Sequence, residues 1–337
     1  MSNSSPVRIA LNGFGRIGRN VVRALPRYPD VELVAINDVM EPAQMAYLAE
    51  YDTVMGRDDS VELSDGRLRT EAVDAALLQV RDPTTLPWAE HDVDVVLECT
   101  GIFRTHEDAA MHLEAGARKV IISAPPRGDT PVTQLVYGVN HDRYAGEDVV
   151  SNASCTTNSV TPIAQVLDAT FGIDHGMLTT VHAYTGSQQL LDGPMAKPRR
   201  GRAAAENILP TTTGAAAAAT DILPQLAGKL DGMAIRVPVP NGSLTELVVT
   251  LDASPTVTAV NDAFRAAAAE GPLAGVLGVT DDPLVSSDIQ GMPYSSLVDL
   301  ASTNRVGAGA MYKVLTWYDN EFGFSNRMLD MAQFITA

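Results

Sequence analysis

Apolar residues in the first half of the chain fall in short continuous runs, separated by stretches of helical period. Val7 to Leu11 is a β-prone run that ends at Asn12-Gly13-Phe14-Gly15-Arg16-Ile17-Gly18. A helical pattern around Val21, Val22 and Leu25 follows, and Pro26 and Pro29 stop it. Glu32 to Asp38 supplies a second strand and completes a β-α-β unit. Val93 to Leu97 and Lys119 to Ser123 have the unbroken apolar character of strands covered on both faces, and Glu107 to Gly116 between them predicts a crossover helix.

The texture changes after about Ser151. Met177 to His182, Ala234 to Val239, Leu244 to Leu251 and Gly309 to Tyr318 predict longer strands, several with the alternation of an antiparallel sheet that has one covered face. Helical patterns cover Thr156 to Phe171, Thr213 to Leu226 and Thr256 to Glu270. The expected fold class is α/β: a doubly wound parallel-sheet (Rossmann) domain over residues 1–154, followed by an α+β domain with a mostly antiparallel sheet over 155–320. A final helix within 321–337 is expected to pack back on the first domain.

Composition adds one unusual feature. The chain of 337 residues is 45% hydrophobic, too apolar for disorder, yet its formal net charge is −17, which argues against a nucleic-acid partner. Only four of the 24 basic residues are lysines (Lys119, Lys197, Lys229 and Lys313), and aspartate outnumbers glutamate about two to one. An acidic, lysine-poor exterior suits a halophilic protein kept soluble at high salt. Two cysteines, a polar start from Met1 to Pro6 and no apolar run long enough to span a bilayer point to the cytoplasm, with no membrane partner.

Gly13, Gly15 and Gly18 form a G-x-G-x-x-G between strand and helix, and Asp38 ends the next strand twenty residues after Gly18. The first glycine permits the turn, the second a close pyrophosphate, the third the contact of helix with strand. A carboxylate at the Asp38 position accepts bonds from ribose hydroxyls and repels a 2′-phosphate, so NAD is expected over NADP. Cys155, in Ser151-Asn152-Ala153-Ser154-Cys155-Thr156-Thr157-Asn158, stands where a strand gives way to a helix, and the unpaired N–H groups there favour a thiolate. Cys99, inside an apolar strand, reads as a structural core residue. His182 ends a buried strand and is the candidate partner for the thiol, whereas His91, His106, His112, His141 and His175 read as solvated. No metal is implied.

The chain resembles phosphorylating glyceraldehyde-3-phosphate dehydrogenases over its whole length. The segments that carry the resemblance are LNGFGRIGR at 11–19, Asn37-Asp38, SNASCTTN at 151–158, TTVHAYT at 179–185, RAAAENILPTTTGAA at 202–216, RVPVPNGS at 236–243 and WYDNE at 317–321. The resemblance implies that Cys155 attacks an aldehyde to give a thiohemiacetal, and that His182 acts as base during hydride transfer. A thioester would then be cleaved by inorganic phosphate. It also implies that Thr185 and Arg236 bind the substrate phosphate, and that Ser154, Thr156, Arg200, Thr213 and Gly214 serve the inorganic phosphate. Arg16, Ile17, Arg81 and Ser123 would contact the dinucleotide, and Asn320 would hold the nicotinamide carboxamide. A homotetramer is implied as well.

The match loosens at Ser159, where relatives often carry a second cysteine, at Gly186-Ser187-Gln188, and at Gly193 beside a retained Pro194. Gly193 leaves some NADP use open. Erythrose-4-phosphate dehydrogenase, which uses water as acyl acceptor, and a non-catalytic NAD-binding protein remain competing readings. If the acidic surface is an adaptation to salt, the thermal midpoint rises from low to molar salt; greater stability at low salt would refute that origin.

Overall fold

Val7–Asn12 (β1) is buried from Ile9 onward, because a central parallel strand is covered on both faces. The computed structural model describes residues 5–337, so Met1 to Ser4 of the polar start lie outside the described residues. The chain divides into two compact units: the first holds residues up to Tyr137 with His141–Ala153 and Ser325–Ala337, and the second holds Gly138–Asn140 with Ser154–Phe324.

In the first unit β1 is joined by β2 (Val31–Asn37), β3 (Glu62–Ser64), β4 (Arg67–Arg69), β5 (Asp74–Leu78), β6 (Val95–Glu98), β7 (Lys119–Ile122), β8 (Thr133–Gln134) and β9 (Val149–Ser151). Their order is β3-β4-β5-β2-β1-β6-β7-β9-β8, parallel except for the β3–β4 and β4–β5 pairs. With β2 on one side of β1 and β6 on the other, the chain reverses its winding at β1, and in such sheets a crevice opens at the carboxyl ends of the strands. The helix α1 (Arg16–Ala24) begins directly after the glycine turn and gives way at Leu25-Pro26, where proline cannot donate to the helix ladder. The helices α2 (Pro42–Glu50) and α3 (His106–Glu114) complete the layers. One face of the sheet packs Trp88, Leu86 and Val93 against Val96, Val120 and Ala109 of α3.

The second unit is built on β10 (Ile173–Ala183), β11 (Leu209–Thr212), β12 (Leu230–Val237), β13 (Ser243–Leu251), β14 (Leu277–Thr280), β15 (Ser296–Arg305) and β16 (Met311–Tyr318). Their order is β11-β12-β10-β13-β16-β15-β14, antiparallel except for β10–β12 and β14–β15. Strict burial alternation along β13 reflects one covered face. The helices are α4 (Cys155–Phe171), α5 (Ala215–Ile222) and α6 (Val257–Ala269). The helix expected over Thr213 to Leu226 is shorter because Pro224 pushes Leu223 out of helical conformation. Pro238 likewise ends β12 before Val239.

The last helix, α7 (Phe322–Thr336), belongs to the first unit from Ser325 onward. There the Tyr28 hydroxyl donates to Asn326 and Asp330, and the Ser325 hydroxyl to Ile17 O. Burial and the neighbouring Asp330 push the Tyr28 phenol well above its usual range, so this anchor stays protonated.

Asp52 closes the turn after α2, accepting from Arg16 Nη1 and from the N–H groups of Val54 and Met55. Burial opposes its ionisation, but Arg16 and the two amides outweigh that and hold the carboxyl below its usual value. A carboxyl lowered by folding stabilises above its unfolded pKa and loses that contribution as pH falls through the folded value. Asp52→Asn should therefore cost about 1–2 kcal/mol at pH 7, and the difference in melting should narrow as pH falls below the usual carboxylate range. An equal difference at neutral and at acid pH would refute the ion-pair account.

Candidate active site

In the first unit two of the three glycines of the turn are held by contacts that leave no room for a side chain. Gly13 has φ of 97°, and a Cβ there would stand 2.6 Å from Thr100 N; a Cβ on Gly18 would stand 2.3 Å from Gly13 O. Gly15 faces open space. The Asp38 carboxylate accepts from Phe14 N–H at 2.6 Å and from Met40 N–H at 3.0 Å, which ties the end of β2 to the same turn. A cleft of about 340 Å³ is lined by Gly13, Gly15, Asp38, Arg81 and Thr100 among others. Backbone N–H groups at the start of α1, an open Gly15 and a fixed carboxylate fit a dinucleotide.

Not every candidate points into this cleft. The Arg16 guanidinium is engaged with Asp52, so what this residue offers at the turn is its place at the helix start, next to Ile17. Ser123 follows β7, its N–H bonded to Glu98 O, and does not line the cleft. Cys99, just past the end of β6, does line it, and burial pushes its thiol well above the usual range, in keeping with a structural rather than a reactive thiol.

In the second unit register assembles the chemistry. His182 of β10 pairs with Arg236 of β12, and Ser243 of β13 pairs with Tyr318 of β16, so these side chains gather at one end of the sheet. Cys155 opens α4, capped by Ser154, whose Oγ accepts from Thr157 N–H at 3.0 Å. Cys155 Sγ lies 3.5 Å from His182 Nε2. The Tyr318 hydroxyl stands 3.0 Å from Thr156 Oγ1 and 2.8 Å from Thr180 Oγ1, and its ring meets the imidazole edge-on.

His182 Nδ1 lies 2.7 Å from Ala183 O and 3.0 Å from Arg236 Nη1, which also donates to Ala183 O at 2.7 Å. Two arrangements satisfy this geometry. With the proton on Nδ1, it goes to Ala183 O and Nε2 faces the sulfur as a base; with Nδ1 accepting from arginine, the proton sits on Nε2 and points at the sulfur. Burial, with Arg236 and Arg200 adding to it, pulls His182 down to about 3. The helix start favours the Cys155 thiolate, but burial outweighs it and pushes the thiol up, against the opposing pull of Arg236 and Thr156.

Arg236 Nε is buried without a hydrogen-bond partner among the described residues, as a guanidinium awaiting an anion would be. Arg200 donates to Thr211 Oγ1 and Ser187 Oγ, and Thr185 Oγ1 lies 2.9 Å from the same serine hydroxyl. Thr213 Oγ1 accepts from Ala215 N–H beside Gly214, the N-cap of α5. Arg202 is instead paired with Asp192, and Arg199 reaches Pro210 O. The Ser243 hydroxyl accepts from Ala183 N–H at 3.1 Å and stands 2.8 Å from Asn320 Oδ1, to which it donates, so the amide nitrogen of Asn320 is directed elsewhere. Neither Ser243 nor Tyr318 stood out as a site residue in the sequence. Both lie within the segments of resemblance, and only strand pairing reveals what they do.

Comparison with known proteins points to one family. Residues 7–106 match the family model described as glyceraldehyde 3-phosphate dehydrogenase, NAD binding domain, and residues 154–320 match that of its C-terminal domain. Among curated relatives, a glyceraldehyde-3-phosphate dehydrogenase of Haloarcula vallismortis is 66% identical over 335 residues, 99% of each chain. Those of Priestia megaterium and Geobacillus stearothermophilus are 52% and 50% identical over 334 residues, 98% of each chain.

A histidine held neutral by folding takes up its proton in the unfolded chain first, from about pH 6.5. Its contribution to stability is complete above that pH and is lost as pH falls toward 3. His182→Gln should flatten this part of the profile of melting temperature against pH; parallel profiles would overturn the assignment of a neutral imidazole.

Proposed function

The chain belongs to the glyceraldehyde-3-phosphate dehydrogenase family, and from the geometry of its two sites we infer how its own residues carry the reaction. It is an NAD-dependent enzyme that oxidises D-glyceraldehyde 3-phosphate and phosphorylates it to 1,3-bisphosphoglycerate. The observation that carries the reading of its residues is the 3.5 Å approach of Cys155 Sγ to His182 Nε2 beside two arginines.

Cys155 Sγ bonds to the aldehyde carbon, and the thiol proton passes to the new oxygen, which the Cys155 N–H and His182 stabilise. Anchoring of the substrate phosphate by Arg236 and Thr185 draws the guanidinium away from Nδ1, which can then donate to Ala183 O. That leaves Nε2 free to take the hydroxyl proton as hydride departs. NAD, when bound, accepts that hydride. In the first unit Gly13, Gly15, Gly18, Arg16, Ile17, Asp38 and Arg81 would hold the dinucleotide, and in the second Asn320, oriented by Ser243, would take up its carboxamide. A phosphate oxygen then attacks the thioester carbon and the sulfur leaves, with Ser154, Thr156, Arg200, Thr213 and Gly214 placing the phosphate. The first unit is thus the cofactor domain and the second the catalytic one.

Large apolar side chains stay exposed on the second unit, namely Met177, Leu190, Leu191 and Ile208, and an isolated chain rarely leaves such a group uncovered. They support association between copies, for which the family resemblance implies a homotetramer. No helix of the described residues is long and apolar enough to cross a membrane, and two free cysteines suit a reducing cytoplasm. NADH formation should require aldehyde, NAD and phosphate together, and phosphate-independent turnover would favour the erythrose-4-phosphate activity instead. Arg236→Leu should raise the aldehyde KM more than tenfold, the loss of a charge-assisted contact of about 1.5–3 kcal/mol. A near-normal KM would remove Arg236 from the site.

A further inference from the structure

His112, read from the sequence as solvated, is fully buried, and its surroundings form a polar chain beneath the dinucleotide cleft. Glu98, the last residue of β6, is 1% exposed and receives no lysine or arginine among the described residues. Its Oε2 accepts from Asn12 Nδ2 at 2.6 Å and lies 3.2 Å from His112 Nε2. Its Oε1 accepts from Thr100 N–H at 2.8 Å and from the Thr100 hydroxyl. Trp88 Nε1 stands 3.0 Å from the other imidazole nitrogen, Nδ1. An indole N–H only donates, so Nδ1 must accept and the imidazole proton sits on Nε2. Asn12 Nδ2 and His112 Nε2 lie 3.4 Å apart, two donors converging on one carboxylate oxygen.

The chain continues on the far side. Asn12 Oδ1 accepts from Asn37 Nδ2 at 2.8 Å, and Asn37 exchanges bonds with the backbone of Val80. Each end of this array fixes a wall of the cleft: Thr100 lies against Gly13, Asn37 precedes Asp38, and Val80 precedes Arg81. A buried carboxylate without a cation is costly unless its lone pairs are filled, and here four donors fill them.

We propose that Glu98 and His112 are positioning residues for the dinucleotide: the Trp88 N–H dictates the imidazole tautomer, His112 completes the donor set of Glu98, and Glu98 holds Thr100 and Asn12 where the cofactor meets them. The proposal rests on the reading of this cleft as the NAD site. Its test compares His112→Leu with His112→Gln, which differ little in volume, but only glutamine carries an N–H that can replace Nε2–H. NAD and ADP-ribose affinities are measured by calorimetry at fixed salt, together with the melting temperature of the unliganded protein. Leucine should weaken both ligands about tenfold, the effect of one hydrogen bond to a charged group. Glutamine should stay within about threefold of wild type.

Equal losses in the two variants, or unchanged affinity with leucine, would overturn the proposal. The ¹⁵N spectrum of histidine-labelled wild-type protein supplies a check that needs no variant, since it must show His112 protonated at Nε2 alone, and an Nδ1-protonated ring would end the proposal. Failure of the wild type to bind NAD would instead refute the cofactor site itself.

Discussion

The chemistry of the second unit depends on the parallel register of β10 with β12. That register sets His182 beside Arg236, and a slip of one residue would turn one of the two to the opposite face of the sheet. The antiparallel pairing of β13 with β16 extends the row through Ser243 and Tyr318. Hydrogen bonding then spreads from the row: Ser243 bridges Ala183 and Asn320, and Tyr318 bridges Thr156 and Thr180. The nucleophile is brought to this row by the start of α4. No single residue creates the site; backbone pairing does, and the side chains complete it.

The two units solve a common problem in different ways, since each must bury polar groups without leaving them unpaired. In the first unit the solution is saturation: Glu98 has a donor for every direction that matters, and two glycines of the turn meet contacts too tight for a Cβ. In the second unit saturation is incomplete by design, because groups that act on an anion or a proton cannot be fully committed beforehand. Arg236 keeps one nitrogen unmatched, and His182 stands between two hydrogen-bond arrangements.

What could be read from the sequence follows the same division. The turn at Gly13–Gly18 and the carboxylate of Asp38 are legible because backbone geometry admits few residues there, and Cys155 is legible because a thiol at a helix start among hydroxyls is uncommon. Strands such as Val95–Glu98 show plainly in their apolar runs. The hairpin of Glu62–Ser64 with Arg67–Arg69 does not, since it is charged and largely solvent-facing. Ser296–Arg305 is also obscure, because serine, aspartate, threonine and asparagine interrupt its alternation. His112 misleads because its helix is only weakly amphipathic, and the groups that enclose it, Trp88 and Glu98, come from distant segments. Local pattern cannot show a burial that long-range packing imposes.

The unmatched nitrogen of Arg236 has a consequence for how such a protein keeps. An anion that binds the folded chain and not the unfolded one stabilises it by mass action, so an anion that meets this guanidinium would also strengthen the fold. Shelf life and resistance to proteolysis thereby become properties of the medium as much as of the chain. A buffer rich in phosphate should therefore preserve this protein better than an equal ionic strength of chloride.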